Sequence, residues 1–492
     1  MKKYLFITLI SITIFSTVTI SCSDDFVDRP IEYSIDSENY FNSKSDYDNA
    51  LIAAYDLLQS TYLNAILGEI ASDNTLAGGE SQSDTPGFQQ IDDMIHTPVN
   101  SNLKNLWDWM FAGVQRANYI LEFKDKTNFQ GKNQVIGEAR FLRAYYHFEL
   151  VKWFGGIPLK GDVRFSSGDE KIIKRSSVAE VYASIEADLI FASQNVSATA
   201  AQKGRVTKGA ALALLGKAYL YQNKYPQAAT TLESLIATSS YSLVSDYNTI
   251  FENAGENGLE SVFEVQYTDV EGAGFGCLQC SEGNVAVGFS GPRNYSGNLF
   301  TSGFSFNVPT QKVVNAFEAG DNRKAVAILD IEAWATATGA TFGKGYEHTG
   351  FFNRKYIPRK RSANAQGDLN LTNPNNYRAI RYADVLLMAA EAYNRGGLND
   401  TKARGYLNQV RRRAFGDLNH DISSSGASLT DFILAERRVE LVGEGHRFFD
   451  LVRTGKAALE ITGFKVNKNE LFPIPIEEIQ FANGNWAQNP GY

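Results

Sequence analysis

The stretch GAALALLGKAYLYQNKYPQAATTLESLI, from Gly209 to Ile236, constrains this chain most, because it reads as a complete structural unit. Two runs of helical period face each other across a turn at Asn223 to Pro226. Leu212, Leu215, Gly216 and Tyr219 lie on the first run, Ala228 and Leu232 on the second. Residues three and four apart share one helix face, so the small residues fall where two backbones approach and the large ones fall between them. Such a pair cannot bury its apolar face alone and requires neighbours that cover it.

The spacing is similar to a tetratricopeptide repeat, Leu-Gly-x-x-Tyr followed by an Ala-x-x-x-Phe-like step, with Leu212 where the leading Trp would stand. An ordinary helical hairpin also fits one such unit. A second copy follows in LLMAAEAYNRGGLNDTKARGYLNQVRRRA, where Ala390 and Tyr393 repeat the first-helix spacing and Ala403, Leu407 and Val410 the second, with one residue inserted in the turn. Two upstream helix pairs are apolar at helical spacing without the full signature. The expected fold is mainly α, a tetratricopeptide-like scaffold of helical pairs drawn from segments far apart in sequence.

With 492 residues, 43% hydrophobic and 21% charged, the chain is globular and has room for two or three domains, or for one large domain with insertions. Lys2 and Lys3 precede an apolar run from Tyr4 to Ile20, then Ser21 and Cys22, which is the layout of a signal peptide over 1–21. Cys22 after a small residue resembles a lipobox, in which the thiol is acylated; Thr19 departs from that pattern, and an ordinary secreted protein is the alternative. Ser23, Asp24 and Asp25 resemble an export tag for the outer face of the outer membrane. No other apolar stretch is long enough to span a membrane, so the expected anchor is the lipid, with 22–40 as tether. Loss of Lys2 and Lys3 with the leader takes the formal charge from -8 to -10, which argues against nucleic acid as a partner.

Cys277 and Cys280 remain as a CxxC among glycines. A loop-stiffening disulfide, free thiols, and a metal or redox site are all open, although zinc wants four ligands and redox pairs open a helix in a βαβ setting. The five histidines show no partner spacing, and HExxH, G-x-S-x-G and the P-loop are absent from the sequence. GAGFG lacks the strand-to-helix context of a dinucleotide fingerprint. No catalytic residue, metal or cofactor is expected, while a glycosidase carboxylate pair at unrelated positions stays open.

A helix is expected near Asp46, with Ala50, Ala53, Ala54, Leu57 and Leu58 on one face. After Ile70 the polar, Gly-rich ASDNTLAGGESQSDTPG reads as a surface loop, with Asp73 and Asn74 at its start. Leu103, Trp107, Met110, Val114, Ala117 and Leu121 form the next helical stripe. Trp107 is read as core; Trp109, about 100° round the helix from Met110, is left open between core and surface. A further helix ends at Gly155 and Gly156, with Pro158 as stop.

That helix carries Glu138, Ala139, Phe141, Leu142, Arg143 and Ala144, which resemble the "EA-x-FLRA" helix of the SusD/RagB family. The same family's elements are echoed by Phe317, Glu318, Asp321 and Arg323 ("FE-x-x-D-x-R"), by RYADVLLMAAEA with Asp384 in place of Glu, by ERRVELVGEGHRFFDLVR from Glu436 to Arg453, and by LFPIPIEEI and the terminal QNPGY. The resemblance implies a surface nutrient-binding lipoprotein without catalysis that partners a SusC-like TonB-dependent transporter in the outer membrane. The charges of the Glu436–Arg453 segment are read as structural, with Arg437 and Glu440, and Arg447 and Asp450, paired at i,i+3.

Between Tyr241 and Tyr377 the helical period fades and Gly, Asn, Ser and aromatics take over. The expected division is 41–240 and 378–492 as scaffold, with 241–377 as a loop-rich ligand-binding portion. A sugar ring needs an aromatic face with carboxylate, amide or guanidinium groups beside it. Residues 272–304 offer Phe275, Phe289, Arg293 and Tyr295, and residues 334–352 offer Trp334, Tyr346 and His348; the candidates are Trp334 as platform, then Tyr346, Tyr295 and Arg293, with Asp73 and Asn74 from the earlier loop. The expected cargo is a glycan; the RagB branch of the resemblance implies peptides as the alternative.

Overall fold

The computed structural model describes residues 39–272 and 274–492. The leader, Cys22 and the tether up to residue 38 lie outside the described residues. The chain enters through α1 (Lys44–Asp56), which Ser43 caps in a reciprocal box with Asp46. Tyr47, Ala50, Leu51 and Ala54 face inward, and Ala53 faces solvent. A 3-10 turn leads into α2 (Tyr62–Ile70), followed by β1 (Thr75–Gly78), α3 (Pro86–Asp92) and the long pair α4 (Ser101–Glu122) and α5 (Lys132–Phe154). Then come α6 (Val178–Asn195), α7 (Lys208–Tyr221) and α8 (Tyr225–Ile236).

Each of α4 to α8 packs on the next, and α8 packs on α11 (Tyr382–Arg395), which pairs with α12 (Asp400–Phe415) and α13 (Gly426–Glu440). The two repeats read from the sequence are therefore neighbours in space although they lie far apart along the chain. Gly216 marks the close approach: a Cβ there would sit 2.5 Å from Leu232, a contact no real side chain tolerates. The turn between α7 and α8 places Asn223 at φ +58, a left-handed position that Asn adopts more readily than most residues. Trp107 is buried in this core, as are Ala390, Ala403, Leu407 and Val410.

The portion from 241 to 377 holds more order than its composition announces. Three two-stranded antiparallel ladders cross it: β1 with β3 (Phe306–Pro309), β2 (Ser261–Val265) with β6 (Tyr377–Arg381), and β4 (Ile328–Asp330) with β5 (Phe351–Asn353). The short helices α9 (Val285–Ser290) and α10 (Ile331–Thr338) sit among them. The ladder of β1 with β3 corrects the reading of 71–87 as a surface loop. Its first half is a buried strand, and only the segment from Glu80 onward opens to solvent.

Charges of the family motifs meet in one buried hub. Glu440, at the end of α13, takes Arg381 at 2.9 Å, Arg413 at 2.6 Å and Arg323 at 2.9 Å, and Glu444 takes Arg381 at 2.8 Å and Lys355 at 2.7 Å. Burial alone would raise the Glu440 carboxyl, but Arg413, Arg381, Arg323 and Lys355 hold it well below the usual carboxylate range. The expected i,i+3 pairs within α13 and within α14 (Arg447–Arg453) do not form, because partners from other segments take Glu440, and Arg437 and Arg453 take Asp450. Arg437 instead bridges Asp384 at 2.7 Å and Asp450 at 2.9 Å, and Arg447 reaches Asp73 at 2.8 Å. These ion pairs tie the C-terminal helices to the loop-rich portion that rests on them.

Candidate functional site

Three distant parts of the chain, α4 among them, converge on a pocket of about 300 Å³. One wall is α4 itself: Asn102, Asn105 and Trp109 are spaced three and four apart and so share a face, and all three line the cavity. The second wall is the turn after β1, with Glu80, Asp84, Thr85 and, from α3, Phe88. The third brings Phe275, Leu278, Phe289, Arg293, Phe304 and Phe306 from the loop-rich portion.

The aromatic rings form a connected surface. Trp109 lies 6.0 Å from Tyr62, Tyr62 lies 6.3 Å from Phe289, and Phe289 lies 6.0 Å from Phe304. Phe275 meets Phe304 edge-on at 5.5 Å and is 59% exposed. Edge-to-face packing of this kind fixes ring orientation, so the inner rings hold the outer one at the mouth. Cys277 and Cys280 are joined by a disulfide that closes the turn carrying Leu278.

Arg293 is the one cation among the described residues lining the pocket, and it is engaged. Its guanidinium donates to Asp84 at 2.7 Å and stands 3.4 Å from Glu80. The Glu80 N–H also donates to Asp84 at 2.8 Å. The Arg293 N–H donates to the Ser305 hydroxyl at 2.9 Å, which fixes the loop on the strand side. Aromatic faces, two carboxamides, two carboxylates and a guanidinium thus surround one cavity. Such a set can seat a polyhydroxylated ring without any bond being made or broken.

Two other cavities lack that combination. The one between Trp107, Phe165 and Trp486, about 350 Å³, is apolar with a carboxylate rim, and the Gln115 amide on its wall is spent on the Phe165 backbone. The polar one beside Tyr55 and Gln59, about 330 Å³, offers a single ring. Arg205 covers the face of that ring, and its hydroxyl is tied to Glu138. Among the described residues, no group of three or more His, Cys, Asp and Glu side chains is placed to hold a metal ion.

Of the residues the sequence offers, Arg293, Phe275 and Phe289 line the pocket, while Trp334, Tyr346, His348, Tyr295, Asp73 and Asn74 lie outside it. Trp334 is half-buried on α10, packs 5.2 Å from Phe300, and donates its indole N–H to the Tyr295 hydroxyl at 2.9 Å. Tyr295 is buried and donates in turn to the Asn298 carbonyl. Both rings thus fill a satellite core with Leu329, Ile331 and Phe352. Tyr346 is half-exposed on the loop behind Glu80, and its N–H donates to the Gly79 carbonyl at 2.8 Å. Asp73 and Asn74 are drawn inward rather than presented on a loop. Arg447, Arg438 and Lys312 surround Asp73, and Arg438 also donates to the buried Asn74 side chain.

Comparison with known proteins places this architecture. A family model described as "SusD family" matches residues 331–470, and one described as "Starch-binding associating with outer membrane" matches residues 25–220. A solved structure described as a laminarin binding SusD-like protein is 33% identical and superposes with a TM-score of 0.83 over 92% of this chain and 100% of that one. The chain belongs to the SusD family. Surface glycan-binding protein A from Bacteroides thetaiotaomicron, solved in complex with laminarihexaose, is 26% identical with a TM-score of 0.79 over 91% of this chain and 99% of that one. SusD-like protein P38 from Formosa agariphila is 29% identical over 94% of each chain.

In this SusD-family protein the pocket draws Phe275, Phe289, Phe304 and Phe306 from the portion expected to bind, and Phe88, Asn102, Asn105 and Trp109 from outside it. The spacing of Asn102, Asn105 and Trp109 was a legible signal: polar and aromatic residues on a face of α4 that the Leu103–Met110 stripe does not use.

Proposed function

We propose that the protein captures an oligo- or polysaccharide at the cell surface, without catalysis, and delivers it to a SusC-like TonB-dependent transporter. The single observation that carries this reading is the pocket beside α4, where a ring surface opening at Phe275 meets the Asn102 and Asn105 carboxamides and the Arg293–Asp84 pair. An aromatic face receives the C–H side of a sugar ring while the polar rim takes its hydroxyls. The relatives described as binding laminarin or holding laminarihexaose support the cargo class, and the description of the N-terminal family model supports association with the outer membrane.

Calorimetry of the soluble form starting at Ser23, against neutral and acidic polysaccharides and peptides, tests the cargo. Saturable binding to a glycan that Trp109→Ala weakens supports the reading; heat from peptides alone replaces the cargo with a peptide. Reducing ends released from a bound polysaccharide would make the protein a hydrolase instead. Attachment through Cys22 predicts that Cys22→Ala leaves the membrane fraction. The transporter partnership predicts co-purification from detergent-solubilised membranes, and recovery as a lone monomer under mild conditions counts against it.

A further inference from the structure

We infer that the pocket is built to take a neutral glycan and to refuse one bearing sulfate or carboxylate groups, an inference that rests on the glycan-capture reading above. The argument is one of charge placement. Among the described residues lining the cavity there are two carboxylates, Glu80 and Asp84, and one guanidinium, Arg293, so the formal charge at the site is negative. The guanidinium is not held in reserve. It points its Nη2 at Asp84 at 2.7 Å and is only 19% exposed, while Glu80 is 75% exposed on the same wall.

A sulfate ester or uronate entering the cavity therefore meets a guanidinium already held by two carboxylates, Asp84 at 2.7 Å and the more exposed Glu80 at 3.4 Å. To recruit Arg293 it must displace Asp84 from a charge-assisted hydrogen bond, which is among the stronger contacts a side chain makes. A neutral sugar faces no such cost. Its hydroxyls can donate to the Glu80 and Asp84 oxygens and accept from the amides while the ion pair stays closed. Asp84 is thus a specificity-determining residue through the arginine it holds, and Glu80 is one through its exposed charge.

The test is calorimetry on the soluble chain with two ligand sets. One comprises laminari-, cello- and manno-oligosaccharides; the other comprises algino- and galacturono-oligosaccharides and laminarihexaose carrying sulfate esters. Wild type is expected to bind a neutral member at least tenfold more tightly than any anionic one. Glu80→Gln with Asp84→Asn is expected to close that gap by tenfold or more, with the gained anion affinity falling as salt is raised. If the double variant does not fold, Glu80→Gln alone keeps the test, because that exposed charge is expected to account for a severalfold share of the gap. An anionic ligand binding wild type as tightly as the neutral ones overturns this inference and leaves glycan capture standing. An unchanged ratio in the variants overturns the role given to Glu80 and Asp84. Silence across both sets overturns glycan capture and this inference together.

Discussion

Phe275→Ala isolates the ring at the pocket mouth with little cost to the fold. The side chain is 59% exposed, and its one ring contact among the described residues is with Phe304, so truncation opens no core cavity there. A phenylalanine offers roughly 200 Å², of which on the order of 120 Å² faces solvent here. A sugar ring lying on one face covers about half of that, ~60 Å², which at ~25 cal/mol per Å² contributes about 1.5 kcal/mol. Binding should weaken about tenfold, with Tm unchanged within a degree. Calorimetry on wild type and variant with the same oligosaccharide reads the first number, and thermal unfolding reads the second. An unchanged Kd would refute the placement of the ligand over this ring. A large drop in Tm would refute the premise that the ring is peripheral.

Other perturbations probe the scaffold and the site's support. Glu440→Gln leaves Arg381, Arg413 and Arg323 facing a neutral amide in a buried setting, and should cost about 3–5 kcal/mol; denaturant titration reading less than about 1 kcal/mol would contradict the hub's importance. Burial pushes the Asp92 carboxyl up to about 8, with Glu347 and Asp93 adding to it against the Ala77 N–H. The unfolded chain loses this proton near pH 4 and the folded one near pH 8, so Asp92 lowers stability progressively as pH rises through that window. Asp92→Asn should therefore gain several degrees in Tm over wild type at pH 8 and nothing at pH 4; equal gains at both would contradict the sign. Cys277→Ser with Cys280→Ser frees the turn that presents Leu278 and neighbours Phe275. Ordering it on binding costs ~0.5–1.5 kcal/mol per side chain, a loss of about two- to tenfold in affinity, and an unchanged Kd would show the turn to be ordered without the bond.

The scaffold was legible because helical period is written over ten or more residues at a time. Gly216 against Leu232 is the local statement of it, and the packing of α8 on α11 the global one. The three ladders were not legible, since strands of three to five residues with at most one exposed position carry no alternation to read. Within the site, Arg293 stood out as a charge among aromatics, but no pattern says that Asp84 would hold it. Trp334 and Tyr295 have the composition of a sugar platform and serve a satellite core, because the hydroxyl of one accepts the indole N–H of the other. Asp73 and Asn74 read as loop residues, and three distant cations, Arg438, Arg447 and Lys312, turn that polar start inward. The face of α4 bearing Asn102, Asn105 and Trp109 was readable, since Trp107 two residues earlier must point nearly the opposite way.

A crystal structure grown with the oligosaccharide that binds most tightly in calorimetry tests the central claim most directly. The account predicts a sugar ring against Phe275 and Phe304, with hydroxyls within hydrogen-bond reach of Asn102, Asn105 and the Arg293–Asp84 pair. Sugar density over Trp334 or between Trp107 and Trp486, with the pocket beside α4 empty, would contradict it.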